Sequence, residues 1–128
     1  MCYSEKCRIE KLGGYMAFSV KTLDDLQTYF RGVDKRAVHH APGVNEVIFP
    51  LLGHIILYMD ASKDIEVFGN GSMGNILWAH INGKRYAFRY DHGNQNIEIH
   101  EGNYKGPIVC TVDNTTSVQD LINIFSGL

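Results

Sequence analysis

The sequence has few cysteines and no long apolar run, and both shortages exclude classes of protein. Three cysteines in a chain of 128 residues are an odd number without regular spacing, which argues against the disulfide framework of a small secreted domain. No apolar stretch reaches the roughly 18–20 residues that a membrane-spanning helix needs. The longest candidate, residues 44–59, is interrupted by polar residues, a proline and a glycine. We therefore expect no membrane association.

A strong excess of either charge is also missing. The chain carries 12 Lys and Arg residues against 14 Asp and Glu residues, a formal net charge of −2. This balance provides no electrostatic attraction to nucleic acid or to an anionic membrane. The first residues lack the basic and apolar segments of a signal peptide. The sequence therefore predicts a cytoplasmic protein with no nucleic-acid or membrane partner.

The composition that remains is typical of a folded globular protein. Hydrophobic residues make up 45% of the chain and charged residues 20%. The length fits one domain, so we interpret residues 1–128 as a single α+β domain. Residues 1–13 are polar and are predicted to be a loose leader.

The first half of the chain combines a strand pattern with helix patterns. Tyr15–Val20 is predicted to be a strand. Thr22 then caps a helix that we expect to end at Gly32, because glycine commonly follows the last helical turn. Residues 33–43 are predicted to be a polar connection.

Residues 44–52 leave two alternatives open. They form either a short helix, capped by Asn45 and bent at Pro50, or a strand. From His54 onward the pattern predicts strands. The predicted strands are His54–Met59, Ile65–Phe68, Ile76–Ile81, Lys84–Tyr90, Asn96–His100 and Pro107–Val112.

The end of the chain predicts a final helix, capped by Thr116 or Ser117. Four apolar residues at helical spacing are expected to face inward: Val118, Leu121, Ile122 and Phe125. Together these elements predict an α+β fold with an antiparallel meander sheet of about 5–7 strands and two or three helices on one face.

The dipeptide Asn82-Gly83 predicts a two-residue hairpin turn, which determines how the flanking strands pair. One face of this hairpin should then carry Leu77, Ala79, Tyr86 and Phe88. Ile97 and Ile99 should extend this apolar face, and we expect the helices to cover it. The opposite face, called the mixed face below, should carry Trp78, His80, Arg85, Arg89, Glu98 and His100.

The mixed face contains the candidate interface or ligand-binding residues of the sequence, because Trp and Arg are enriched where proteins bind partners. Three interpretations stay open. In the first, the face is solvated, or Trp78 is covered by the leader or a loop. In the second, the face is a partner or subunit interface. In the third, it holds a small-ligand pocket.

No motif predicts a cofactor or a metal ion. Residues 69–74 match the letters GxGxxG, but the next segment belongs to the hairpin rather than to the helix of a dinucleotide site. The adjacent His39 and His40 cannot face one ion together, and no metal-ligand spacing occurs. Cys110 is predicted to be a buried, inert thiol. The sequence assigns no catalytic residue, so an enzyme is the less favoured interpretation.

The segment from Ile76 to Phe125 carries a family resemblance. Its run from Trp78 to Phe88, the strand Asn96-Ile97-Glu98-Ile99 and the capped final helix resemble orphan proteins encoded in mobile integron gene cassettes. The resemblance implies a small, often oligomeric protein of unassigned function, and it transfers no functional residue. The order of elements is also similar to that of small bacterial immunity proteins.

Three functional hypotheses follow. The leading one is a non-catalytic binding protein that self-associates into a homo-oligomer through the mixed face. The second is a small-molecule-binding protein or enzyme, with a pocket between helices and sheet lined by Tyr86, Phe88, Tyr90 and a histidine. The third is a toxin-neutralising, immunity-type protein.

Overall fold

The computed structural model describes residues 9–12, 15–68 and 76–128. Within these ranges, the elements in chain order are β1 (Ile9–Leu12), β2 (Tyr15–Val20), α1 (Leu23–His40), α2 (Ile48–Tyr58), β3 (Ile65–Phe68), β4 (Ile76–Ile81), β5 (Lys84–Asp91), β6 (Asn96–Glu101), β7 (Ile108–Val112) and α3 (Val118–Ser126). The described strands form one antiparallel sheet, in which each strand pairs with the next along the chain. The predicted α+β fold with an antiparallel meander is confirmed.

One apolar core joins the three helices to one face of the sheet. It includes Val33 of α1, Leu51 of α2 and Phe125 of α3, together with Phe88 and Ile99 of the sheet. The ring of Phe125 stacks on that of Phe88, with centroids 6.2 Å apart and planes 6° apart. Burial of apolar surface of this kind is the dominant stabilising contribution to a fold. This arrangement confirms the prediction that the helices pack on one face.

The Asn82-Gly83 hairpin has the register that its sequence predicts. Both residues have positive φ, 55° and 82°, as a tight hairpin turn requires. The paired residues are Ile76 with Arg89, Leu77 with Phe88, Trp78 with Ala87, Ala79 with Tyr86, His80 with Arg85, and Ile81 with Lys84. The predicted division of this hairpin into two faces is therefore confirmed.

Helix α1 differs from its prediction, because it continues through Gly32. The capping box at Thr22 is present, but residues 33–40 are helical rather than a polar connection. A glycine inside a helix costs only about 1 kcal/mol relative to alanine. Buried Val33 and Ala37 continue the apolar spacing beyond it. Packing against the core outweighs this cost, so the end predicted at Gly32 is wrong.

Helix α2 resolves the ambiguity of residues 44–52 in favour of the helix from Ile48 onward. Pro50 lies in its first turn, where backbone N–H groups have no helical partner, so proline removes no hydrogen bond there. The helix runs to Tyr58, and the strand predicted at His54–Met59 is wrong. Its isoleucines suggested a strand, but the helical spacing of the apolar residues continues through this segment.

The start of α2 is stabilised from a distant part of the chain. Asn45 is not its cap, contrary to one of the alternatives above, and Val47 at the cap position makes no side-chain cap hydrogen bond. Instead, Asn114 Oδ1 accepts hydrogen bonds from the N–H groups of Glu46, at 2.9 Å, and Val47, at 3.1 Å. The Glu46 N–H thereby has an acceptor, and the Val47 N–H, which also donates to the Val44 carbonyl oxygen, has a second one.

Two predictions near the end of the chain need correction. Ser117 caps α3, but Val118 and Ile122 are exposed, contrary to their predicted inward orientation. Leu121 and Phe125 are the buried residues that α3 presents to the core, with the partly buried Ile124 packed against it. Cys110 is half-buried rather than buried, because β7 pairs with β6 on one side only.

The N-terminal part of the sheet also differs from expectation. Ile9–Leu12, assigned to a loose leader by sequence, form β1 and pair with β2. No helix among residues 15–68 and 76–128 is long and apolar enough to cross a bilayer.

Candidate functional site

The mixed face brings its six candidate residues together on neighbouring strands. Trp78 and His80 lie on β4, opposite Ala87 and Arg85 of β5. Glu98 of β6 lies opposite Arg89 of β5. A second apolar cluster on this face contains Ile76, Trp78 and Ala87, with Phe68 and Tyr104 packed against it.

Trp78 is covered rather than exposed. Only 2% of its surface is accessible, and the guanidinium carbon of Arg85 lies 5.2 Å from the centroid of its ring. Arg85 in turn pairs with Glu66 Oε1 at 3.3 Å. The indole Nε1 of Trp78 has no hydrogen-bond partner among the described residues. The described structure therefore leaves this tryptophan little surface to offer to a partner.

A second group of charges on the mixed face centres on Glu98. Its Oε1 lies 3.4 Å from Arg89 and 2.8 Å from His100 Nε2. The other ring nitrogen of His100, Nδ1, lies 2.8 Å from the carbonyl oxygen of Gly106. Since a carbonyl and a carboxylate both accept hydrogen bonds, His100 donates to both only when both ring nitrogens carry a proton. The polar groups of Arg89, Glu98 and His100 thus contact one another or the Gly106 carbonyl oxygen.

His80 stays outside both charge groups, and within the described part of the chain its buried Nδ1 has no hydrogen-bond partner. Across the described ranges, no group of three or more His, Cys, Asp or Glu residues is arranged to hold a metal ion. The glycine-rich segment 69–74 lies outside the described residues. The side chains of His39 and His40 also lie outside them.

Sequence reasoning missed the contribution of Glu66 to this face. Glu66 pairs with Trp78 across β3 and β4. The connection between these strands is not a two-residue turn, so no rule relates the register of β3 to that of β4. Glu66 could therefore not be placed beside Arg85 from the sequence.

On the other face of the sheet, a cavity of about 450 Å³ lies between α1, α2 and strands β4, β5 and β6. Its wall is formed mainly by apolar side chains of the core. The lining residues are Tyr29, Val33, Arg36, Ala37, Ala41, Val44, Ile48, Leu51, Leu52, Ile55, Leu77, Phe88, Tyr90, His92 and Ile97. Ligand pockets typically have volumes of about 300–1,000 Å³ and apolar walls with a few polar groups. This cavity has both properties.

Polar groups of the cavity come from α1 and from the end of β5. Tyr29 and Arg36 of α1 are half-buried, and His92 beyond β5 is exposed, so this part of the cavity reaches the surface. The ring of Tyr90 meets that of His92 edge-on, with centroids 4.7 Å apart. Although part of Tyr29 is exposed, burial raises the pKa of its hydroxyl to about 12, against an opposing effect of the Arg36 charge.

The segment between α1 and α2 is anchored beside the cavity. The Tyr90 hydroxyl donates a 2.8 Å hydrogen bond to the carbonyl oxygen of Pro42, and the Asn114 N–H donates one of 2.7 Å to that of Gly43. Gly43 has φ of +86°, and an added Cβ would collide with the carbonyl oxygen of Gln95. These contacts hold one wall of the cavity against the turn between β5 and β6.

The pocket hypothesis named some of these residues and missed others. Phe88 and Tyr90 line the cavity together with a histidine, His92, whereas the buried Tyr86 does not line it. The missed residues of α1 include Arg36, because the helix was expected to end at Gly32, and Tyr29, which lies within the predicted helix. The spacing of residues 29, 33, 36 and 37 along one helix face was the available signal.

Comparison with known protein families identifies the family to which this chain belongs. A family described as "Integron cassette protein VCH_CASS1 chain" matches residues 26–122, which is well over half of the chain. The chain therefore belongs to this family of integron cassette proteins, as the resemblance implied. The family description names no activity. Among curated proteins, none matches the sequence significantly.

Proposed function

We propose that this integron cassette protein binds a small molecule in the cavity between α1, α2 and the sheet. The observation that carries the proposal is the cavity itself, about 450 Å³ of space that is lined mainly by core side chains and opens to the surface. Protein interiors are normally packed so closely that voids larger than a water molecule are few. A space of this size lined by Leu52, Ile55 and Phe88 leaves apolar surface without packing partners. A ligand of matching shape would supply the missing contacts.

The contrast between the two faces supports this choice of site. On the mixed face, Arg85, Arg89, Glu98 and His100 are engaged with one another or with Glu66 and Gly106. On the helix-covered face, the cavity combines apolar walls with polar groups at its open part. That combination is typical of sites that bury most of a ligand and orient it through a few hydrogen bonds.

A fluorescence titration with the neutral apolar dye Nile red tests the proposal. Wild-type protein should bind the dye, while Ala37→Phe, which fills the cavity from α1, should weaken binding by about tenfold or more. The Ala37 side chain is buried and lines the cavity. Gln27→Phe is the matched control, because it adds the same ring at an exposed position of the same helix.

Thermal unfolding of both variants shows whether each is folded at the titration temperature. Equal binding by wild type, Ala37→Phe and Gln27→Phe would place the dye elsewhere on the surface and contradict the proposal. Absence of binding to wild-type protein would contradict it as well.

Self-association is a second candidate, and one specific observation favours it on a different surface from the mixed face. The outer side of α2 exposes Leu57 at 74%, Ile56 at 40% and Phe49 at 37%. Exposed apolar surface of this kind is typical of contacts between proteins. A second copy of the chain would cover this side of α2.

Sedimentation equilibrium over a range of concentrations tests self-association. Leu57→Glu should dissociate an oligomer formed through α2, whereas Arg89→Glu should dissociate one formed through the mixed face. A monomer at every concentration for wild-type protein would exclude both interfaces. The toxin-neutralising hypothesis stays a prediction.

A further inference from the structure

The cavity has few groups that could pair with a charge on a ligand. Arg36 is the one Lys, Arg, Asp or Glu residue among the described side chains that line it. Arg36 already has an interaction within the protein, and its charge also acts on the hydroxyl of Tyr29. On the described wall, a positive group of a ligand would therefore meet no carboxylate. A negative group would meet only a cation that the protein already uses.

The polar groups where the cavity meets the end of β5 are also engaged. The Tyr90 hydroxyl donates a 2.8 Å hydrogen bond to the carbonyl oxygen of Pro42. The carboxylate of Asp91, the next residue, accepts hydrogen bonds from Asn94 Nδ2, at 2.7 Å, and from the Gly93 N–H, at 3.2 Å. Asp91 also does not line the cavity. Neither the Tyr90 hydroxyl nor the Asp91 carboxylate is thus left to pair with a charge on a ligand.

The two tyrosines of the wall show how negative charge is disfavoured there. Burial raises the pKa of Tyr29 to about 12, although the positive charge of Arg36 acts in the opposite direction. Burial and the negative charge of Asp91 raise the pKa of Tyr90. The phenolate form is therefore disfavoured at both rings. Because burial disfavours the charged form of any group, an anionic ligand beside these rings would lose its hydration at a similar cost.

The rest of the wall offers a charge even less. It is formed by aliphatic and aromatic side chains such as Leu52, Ile55 and Phe88. Ligand pockets bury most of the surface of their ligands, so a polar group of the ligand loses water as it enters. An ionised group without a counter-ion loses far more free energy in apolar surroundings than a neutral polar group does.

Building on the proposed function, we infer that the cavity binds an uncharged ligand of mainly apolar surface and excludes anions and cations of the same size. An amide, an ester or an alcohol is compatible with this site. The hydroxyl of Tyr29 keeps its proton at neutral pH, so it can donate a hydrogen bond to the oxygen of such a group.

Four probes with the same ten-carbon chain test this inference: decanamide, decanol, decanoate and decylamine. Decanamide and decanoate have planar head groups of similar size, so they differ mainly in charge. At neutral pH decanoate is ionised and decylamine is protonated. Each probe is titrated below its micelle-forming concentration by displacement of Nile red. Wild-type protein should bind decanamide and decanol at least about tenfold more tightly than decanoate or decylamine.

Matched variants locate the preference. Ala37→Phe should weaken decanamide binding by about tenfold or more, whereas Gln27→Phe, at an exposed position of α1, should not change it. Arg36→Gln and its exposed counterpart Arg31→Gln should both keep the preference for decanamide over decanoate, because the preference arises from burial in the apolar cavity. A preference of wild-type protein for decanoate that disappears in Arg36→Gln would show that the cavity accepts an acid, and the inference would be wrong.

The outcomes separate this inference from the proposed function. Decanoate or decylamine bound as tightly as decanamide, together with weaker Nile red binding by Ala37→Phe, would overturn the inference and leave the cavity as a binding site. Binding of none of the probes, with Nile red binding unaffected by Ala37→Phe, would overturn both.

Discussion

The two faces of the sheet bury their side chains by different means. The helix-covered face is apolar, with Phe88 under Phe125, yet it contains a cavity of about 450 Å³. The mixed face carries charges, yet Arg85 and Glu98 are paired there with neighbouring side chains. The residues that looked functional in the sequence, apart from His80, thus have partners within the protein. The helix-covered face, where the second hypothesis expected a pocket, contains the cavity.

The largest expected effect belongs to the helix-covered face. Phe125→Ala should lower the free energy of unfolding by about 3–5 kcal/mol, because it removes a large, fully buried ring. Urea-induced unfolding measures the change. Ile122→Ala, on the more exposed side of the same helix, is the control and should cost much less. Similar losses for the two variants would contradict the assignment of faces to α3.

A smaller effect is expected on the mixed face. Glu98→Ala should lower the free energy of unfolding by about 1.5–3 kcal/mol, because it leaves the buried His100 Nε2 without its acceptor. Glu101→Ala, at an exposed position of the same strand, should change it little. A double-mutant cycle between Glu98 and His100 measures their coupling directly. Coupling near zero would show that the charges of this face do not stabilise it.

The cap supplied by Asn114 is expected to contribute less again. Asn114→Ala should cost about 1 kcal/mol, since the Glu46 N–H loses its side-chain acceptor and the Val47 N–H retains only the Val44 carbonyl oxygen. Asn123→Ala on exposed α3 surface is the matched control. Unchanged stability in Asn114→Ala would argue against this cap.

A further expected effect concerns pH and Tyr29. Between pH 10 and about 12, the unfolded chain releases the phenol proton while the folded protein retains it. The unfolded state is therefore stabilised as pH rises, and the free energy of unfolding falls across this range. Tyr29→Phe should show a shallower fall in urea-induced unfolding. Identical slopes for wild type and variant would contradict the raised pKa.

Much of the sheet could be predicted because its rules are local. Asn82-Gly83 determined the pairing of β4 with β5, and alternation then placed Trp78 and Leu77 on opposite faces. The helices were harder to predict, because tertiary packing decides their ends. Gly32 suggested a helix end, but the buried Val33 beyond it continues the packing of α1.

The cavity could be predicted only in outline. Phe88 and Tyr90 were assigned correctly to a pocket between helices and sheet, although Tyr86 was not part of it. Arg36 could not be assigned, because it was placed in a connection rather than on a helix. The burial of Trp78 could not be predicted either, since residues distant in sequence, such as Tyr104, pack against its cluster.

The central claim is that a ligand enters the cavity of the helix-covered face, and methyl NMR of α2 tests it most directly. Ile55 lines the cavity, whereas Ile56 and Leu57 are exposed on the outer side of the same helix. Titration with decanol should shift the methyl signals of Ile55 and Leu52 and leave those of Ile56 and Leu57 in place. Shifts confined to Ile56 and Leu57 would contradict the account.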